Sequence, residues 1–388
     1  MVTERLYYKD SYLTDFAAEV IDLAAGGQRV YLDRTAFYPS SGGQPFDLGW
    51  LGGQEVIEVS DEGERIAHVT AAAIPAGTVT GQIHWPRRYD HMQQHTGQHL
   101  LSAVFVELSG FQTLSFHLGD EVSTIELGTK EIAEKQIEQA EDHANELARS
   151  GRPVRIGFED AEQSAGLRKE SQRAGTLRIV EIEGLDKSAC GGTHVRSLAE
   201  TLPVQIRKTE KVRGNIRLEF VCGCRATRRA KQDFKIAQEL ARQSATGIDK
   251  LPEHLAALRQ RLSEAEKDRQ ILAQSLAQRE GRELYTATEP ATDGLRRALW
   301  QVAQIDEAVR AKALAYVTGG KSLVLVVGAQ PAGVLIACSA DAGTNAGAIL
   351  KQTLAECGGR GGGTATLAQG SVPNELCVRA LTEKLGML

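Results

Sequence analysis

The sequence predicts an α+β chain of several domains: a small N-terminal β-barrel over 1–88, a mixed α/β domain over 89–224, a helical, coiled-coil-like connector over 225–285 and a C-terminal α/β domain over 286–388. Three features carry that expectation. The chain has 388 residues, more than one domain of about 100–200 residues holds. Its apolar pattern switches near Tyr89 from short strand-like runs broken by glycine pairs to helical spacing. A block rich in Ala, Gln, Arg, Leu and Glu then separates two regions of mixed pattern.

Each element follows in order. Apolar runs at Arg29–Leu32, Glu55–Val59 and Gly77–His84 alternate with turns at Gly26-Gly27, Gly42-Gly43 and Gly52-Gly53, the spacing of a barrel with five to seven short strands. From His91 to Leu108, Leu100, Leu101, Val104, Phe105 and Leu108 recur at helical intervals. A strand over Val122 to Leu127 and an amphipathic helix from Ile132 to Ala148 come next, then strands near Arg178–Glu183, Val204–Thr209 and Ile216–Val221. In the connector a weak point at Gly247–Pro252 precedes Leu255, Leu258, Leu262, Ala265, Leu272 and Leu276, which keep alternating three- and four-residue steps interrupted by Arg269. Strands at Ser322–Val327 and Val334–Ser339 and the glycine tract from Gly358 to Gly363 belong to the last domain.

Composition narrows the function classes. A net charge of −5 gives no bulk basic signature, so a nucleic-acid partner needs a local patch. Aromatic residues make up 5% of the chain, which argues against single-strand binding by base stacking. No apolar run suits a membrane span and the N-terminus lacks the apolar core of a signal peptide, so the expected setting is cytoplasmic. The six cysteines are too sparse and irregular for a disulfide framework.

Two short motifs carry chemistry. In His95-Thr96-Gly97-Gln98-His99 the histidines lie four apart, on one face of the expected helix and close enough to share a Zn²⁺; a plain surface helix explains such a pair equally well. In Cys190-Gly191-Gly192-Thr193-His194, two glycines allow a tight loop to turn a thiol and an imidazole toward one point. Together His95, His99, Cys190 and His194 form an N₃S set that suits zinc rather than Mg²⁺ or Ca²⁺. A zinc-protease helix needs glutamate where Thr96 stands.

These residues resemble the zinc signature of the alanyl-tRNA synthetase editing domain and of its free-standing AlaX relatives. HTGQHLL at 95–101 and CGGTHV at 190–195 carry the likeness. FYPSSGGQPFDLG at 37–49, with Gly42, Gly43, Gln44 and Asp47, resembles the glycine-rich motif of the N-terminal barrel, and SFHLGDEVSTIEL at 115–127 resembles the strand pair of the editing pocket. GGRGGGTATLAQG at 358–370 is similar to the terminal domain shared with DHH-type phosphoesterases. The order of the blocks spans nearly the whole chain, as in the long form of AlaX. The pattern departs from the synthetases where a glutamine is common, and Thr113, Ser115 and His117 stand there as pocket candidates.

The resemblance implies a trans-editing hydrolase that deacylates serine or glycine wrongly esterified to alanine tRNA, without ATP. A zinc with an exchangeable position polarises the ester or acidifies a water, whereas four protein ligands make a closed, organising metal; both readings stand. A non-enzymatic tRNA-binding and dimerisation protein with structural zinc is the competing class. Between Gln205 and Lys231 nine basic residues face two acidic ones, a local net of +7. Arg207, Lys208, Lys211, Arg213 and Arg217 are therefore tRNA candidates, with a solvated strand edge as the alternative; His91, one turn before His95, is expected to support the site or meet the tRNA terminus. Gln44 and Asp47 are candidates for hydrogen bonds across the barrel interface, against an ordinary turn. Gly359, Arg360, Gly361 and Gly362 are read as a phosphate cradle or a packing surface for a dimer partner, and the connector or last domain as the homodimer contact. Cys222 and Cys224 are expected as strand residues.

Overall fold

A computed structural model of the chain describes residues 2–162, 164–169 and 174–387 and divides into two compact units, Met1–Glu239 and Leu240–Leu388. In the first unit, strands β1 (Asp15–Ala24), β2 (Arg29–Leu32), β3 (Gly49–Leu51), β4 (Gln54–Asp61), β5 (Ile66–Thr70) and β6 (Thr78–Ile83) close a six-stranded antiparallel barrel in the order β1-β2-β5-β4-β3-β6. Alternate residues point inward, so Val30, Leu32, Leu51, Val56, Val59 and Ile66 fill it. Each of these burials contributes on the order of 2 kcal/mol.

Helix α1 (Trp85–Ser109) leaves the barrel directly. It starts earlier than the apolar spacing indicates, because Pro86 sits in the first turn, where its missing N–H costs nothing. Gly110 ends it in the left-handed conformation. From Met92 to Phe105 every residue is buried, the polar ones included. The helix lies against a four-stranded sheet of β7 (Thr113–Leu118) and β8 (Ser123–Leu127), against α2 (Glu134–Arg149), and against β11 of a three-stranded sheet of β9 (Val154–Asp160), β10 (Thr176–Ile182) and β11 (Asp186–Ala189). The four-stranded sheet is completed by β12 (Val204–Val212) and β13 (Asn215–Cys222) in the order β12-β13-β8-β7. Leu101, Phe105, Leu118, Ile125, Leu218 and Phe220 belong to the shared core. Helix α3 (Gly223–Gln243) begins at a positive-φ turn at Gly223, so Cys224 lies in a helix and not in a strand as expected.

In the second unit, α4 (Leu251–Ala287) follows a one-turn 3₁₀ segment, Ile248–Lys250. The sheet that comes after it runs β14-β15-β16-β18-β17, from strands β14 (Arg296–Val302), β15 (Ser322–Ala329), β16 (Ala332–Cys338), β17 (Arg360–Gly363) and β18 (Leu367–Ser371). Period-2 alternation serves two cores: Val324 and Val326 face Tyr316 of α5 (Glu307–Val317), while Leu323 and Leu325 face Leu350 and Leu354 of α6 (Ala346–Cys357) and Leu381 of α7 (Glu375–Lys384). The glycine tract corrects the cradle expectation. Residues 360–363 form an extended edge strand paired with β18, not the curled backbone that wraps a phosphate. A Cβ on Gly361 would lie 2.4 Å from the Gly370 Cα, so close strand packing accounts for the glycine.

Among the described residues no helix is long and apolar enough to cross a membrane, and all six cysteines are free.

Candidate metal centre and its cavity

Four donors converge where α1 meets the loop after β11. His95 and His99 come from one face of α1, Cys190 and His194 from the loop, and their ligand atoms all lie within 4.8 Å of one another. The Cys190 Sγ stands 3.5 Å from His95 Nε2 and 3.4 Å from His194 Nε2. The loop reaches this close because residue 192 has no side chain: a Cβ there would lie 2.1 Å from the His95 ring.

A second set of groups orients every imidazole by its other nitrogen. His95 Nδ1 is 2.8 Å from Gln44 Oε1, His99 Nδ1 is 2.8 Å from Asp186 Oδ2, and His194 Nδ1 is 3.1 Å from the Thr96 hydroxyl. With Nδ1 engaged, each Nε2 is left for the centre, the arrangement by which proteins orient metal-binding histidines. Asp186 is itself held by Arg168 at 2.6 Å and Ser188 at 2.9 Å. Gln44 also accepts from the Thr193 amide and donates to its hydroxyl, tying the glycine-rich loop of the barrel side to the metal loop.

The electrostatics follow from these contacts. Burial opposes a thiolate at Cys190, yet the His95 and His194 rings beside it hold the thiol well below its ordinary range. Burial also opposes charge on His99, but Asp186 and Cys190 outweigh it and raise the ring to about 9. His194 is pushed down to about 3 by burial and by His95. Three imidazoles and a ready thiolate, oriented and buried, fit a tetrahedral divalent metal with borderline-soft ligands.

The cluster opens on a cavity of about 820 Å³, walled by Tyr7, Tyr8 and Tyr38 on the barrel side and by Thr113, Ser115 and Phe116 of β7. Thr113 is buried and faces in, whereas Ser115 is exposed and bonds Glu126. Leu114 is an extra residue in the β7–β8 pairing, and this bulge breaks the alternation that would put 113, 115 and 117 on one face. Ser115 and His117 still share a face, yet only Ser115 reaches the cavity lining.

Other expected residues are placed as follows. Asp47 lies within the barrel interface, paired with fully buried Arg88 on α1. His91 is 1% exposed, so it stands inside the domain and not on a surface that meets a macromolecule; its Nδ1 has no partner. Of the basic stretch, Arg207 pairs with Asp233, Lys208 with Glu210 and Glu219, Lys211 with Glu131, and Arg217 with Glu126 and Glu210. Much of its charge is thus compensated within the protein, while Arg213 is exposed at the β12–β13 turn. Sequence reasoning missed Asp186, Thr96, Arg168 and Gln98. For Thr96 and Gln98 the signal was present, since both lie inside the HxxxH motif.

A barrel joined to an α/β domain thus brings a His₃Cys donor cluster to the edge of one cavity. Residues 177–219, which include the metal loop, match the threonyl and alanyl tRNA synthetase second additional domain, and residues 264–387 match the DHHA1 domain. The chain is 31% identical to the alanyl-tRNA editing protein AlaX-L of Pyrococcus horikoshii over 99% of this chain and 98% of that protein. It is 34% identical to the alanyl-tRNA editing protein Aarsd1-B of Xenopus laevis over 69% and 70% of the two chains, and 31% identical to the alanine–tRNA ligase of Korarchaeum cryptofilum over 100% of this chain and 45% of that one. The chain belongs to the alanyl-tRNA editing protein family.

Proposed function

We propose that this protein is a trans-editing aminoacyl-tRNA deacylase that hydrolyses Ser-tRNA(Ala), with Gly-tRNA(Ala) as a second substrate, at a Zn²⁺ held by His95, His99, Cys190 and His194. The observation that carries the reading is the donor cluster at the edge of a cavity large enough for an aminoacylated nucleotide. Family membership supports the substrate class. When bound, zinc supplies Lewis-acid polarisation and a compact positive charge.

The chain's own residues do the rest. Gln44, Asp186 and Thr96 keep the three rings aimed at one point. Arg178, 7% exposed, donates to the Cys190 carbonyl at 2.6 Å and to the Tyr8 carbonyl at 3.0 Å, so one guanidinium ties the metal loop to the tyrosine wall. Phe116 packs on the His95 ring at 5.4 Å between centroids and keeps water from that side. Arg213 and the neighbouring bases of β12–β13 contact the RNA backbone, and Leu255, Leu258, Leu262, Leu272 and Leu276, exposed along α4 at coiled-coil spacing, form a homodimer contact. The chain is organised as the four domains read from its sequence and acts in the cytoplasm.

The test incubates purified protein with Ser-, Gly- and Ala-tRNA(Ala) while zinc is measured by mass spectrometry. Cys190→Ala and His99→Ala are expected to lose both zinc and deacylation. Hydrolysis of Ser-tRNA(Ala) no faster than in buffer refutes the enzyme reading, and full activity in a zinc-free variant refutes the metal assignment.

A further inference from the structure

Gln98 lies on α1 between the two histidine ligands, 2% exposed, and lines the cavity. Its Nε2 donates to Ser102 Oγ at 2.8 Å, and Ser102 shares a 2.7 Å hydrogen bond with the Thr113 hydroxyl. That chain holds the amide plane fixed. The other end of the amide, Oε1, is buried with no donor. A buried acceptor left empty is costly, so its natural partner is a donor that arrives with a ligand.

From this geometry we propose that Gln98 is a specificity-determining residue that accepts a hydrogen bond from the hydroxyl of a seryl ester. The inference rests on the deacylase reading above. Chemistry selects the hydroxyl over the α-ammonium. A cationic ammonium calls for a carboxylate, and the one carboxylate lining the cavity among the described residues, Asp61, is gripped by Arg5 through two bonds of 2.8 and 2.9 Å. A neutral amide oxygen fits a neutral O–H. An alanyl ester has a methyl group where serine has its hydroxyl-bearing carbon and leaves Oε1 unsatisfied, so the correctly charged tRNA is disfavoured by the same atom that favours serine; a glycyl ester lacks the hydroxyl too and gains nothing from Gln98, which makes it the control substrate.

The experiment compares wild type with Gln98→Met, which keeps the length of the side chain and removes the acceptor. The expected result is a fall in kcat/KM for Ser-tRNA(Ala) of about tenfold or more, with Gly-tRNA(Ala) changed by less than about twofold and zinc content unaltered. Equal losses on both substrates assign the amide to the ammonium or to metal support and overturn the proposal, as does an unchanged serine preference. Wild-type protein inert on every substrate refutes the deacylase reading instead. If Gln98→Met does not fold, wild-type binding to the non-hydrolysable 3′-amide analogues of seryl- and alanyl-adenosine decides: a preference for serine of about tenfold is expected, and equal affinities overturn it.

Discussion

Replacing Asp47 by Asn isolates the contact that fastens the barrel to the helix bearing the metal ligands. Arg88 is fully buried and Asp47 is 0% exposed. The guanidinium gives its Nε to both carboxylate oxygens at 3.0 Å, Nη1 to the Ser11 carbonyl at 2.8 Å and Nη2 to the Ala36 carbonyl at 2.5 Å, with a further short contact from Nη2 to Asp47. Asp47 also accepts from the Tyr38 amide at 2.7 Å. The Asn variant leaves a cation in a dry site and turns one acceptor into a donor aimed at other donors. Breaking a buried pair from one side costs about 3–5 kcal/mol. For a unit of this size that corresponds to a fall in Tm of about 6–20 °C. Because Gln44 and His95 lie on the same two segments, zinc affinity should fall as well. Urea unfolding and differential scanning calorimetry measure the first effect, and competition with a chromogenic chelator the second. The double variant Asp47→Leu/Arg88→Met recovers most of the stability, since an apolar pair of similar volume replaces a buried ion pair without loss. A change below about 1 kcal/mol in Asp47→Asn, or a double variant as unstable as the sum of the singles, refutes the reasoning.

Three further outcomes follow from other contacts. His68, wholly buried between Thr35 and Val30, is pushed down to about 4 by burial; the unfolded chain therefore binds more protons between its ordinary value and pH 4, and stability present at neutral pH is lost as pH falls through that window, by about 3 kcal/mol. His68→Gln flattens that acid limb in urea titrations at pH 7, 5.5 and 4, and a limb as steep as wild type contradicts the assignment. Gly192→Ala drives a methyl group into the His95 ring, so zinc affinity drops by at least about tenfold while the barrel stays folded; chelator competition reads it, and wild-type affinity is the contrary result. Leu262→Glu with Leu272→Glu puts charge into the exposed α4 stripe, and sedimentation equilibrium is expected to show a monomer with undiminished deacylation per chain; dimers that persist place the contact elsewhere.

Local patterns made much of the fold legible. Alternation and glycine turns marked strands that form a six-stranded barrel, and helical spacing marked α1 from His91 onward. What was not legible is that α1 is buried on all sides from His91 to Phe105. A plain surface helix stood as the alternative for the His95–His99 pair, whereas Gln93, Gln94, Thr96, Gln98 and Ser102 around it are each buried with a hydrogen-bond partner, such as the Cys222 backbone for Gln94 at 2.9 and 2.8 Å. Polarity along a sequence reports exposure only when no other element brings partners, and here the loop after β11 and strand β13 bring them. The ion pairing of the basic stretch was not legible either, because three of its carboxylate partners, Glu126, Glu131 and Asp233, lie outside the run of positive charge.

By itself the sequence determined which residue types are available for the centre: two histidines one helical turn apart, and a cysteine and a histidine flanking a glycine pair. Those facts are local, set by backbone geometry over four or five residues. Tertiary structure alone decided that the two halves, 91 residues apart from His99 to Cys190, meet, and that Gln44, Thr96 and Asp186 turn all three rings inward. It also decided that Gln98, in the cavity wall, keeps a buried acceptor without a donor, and that Gly361 and Gly363 serve close strand packing. Hydrogen-bond partners and close approaches are set by which elements pack together, and that depends on the whole core at once.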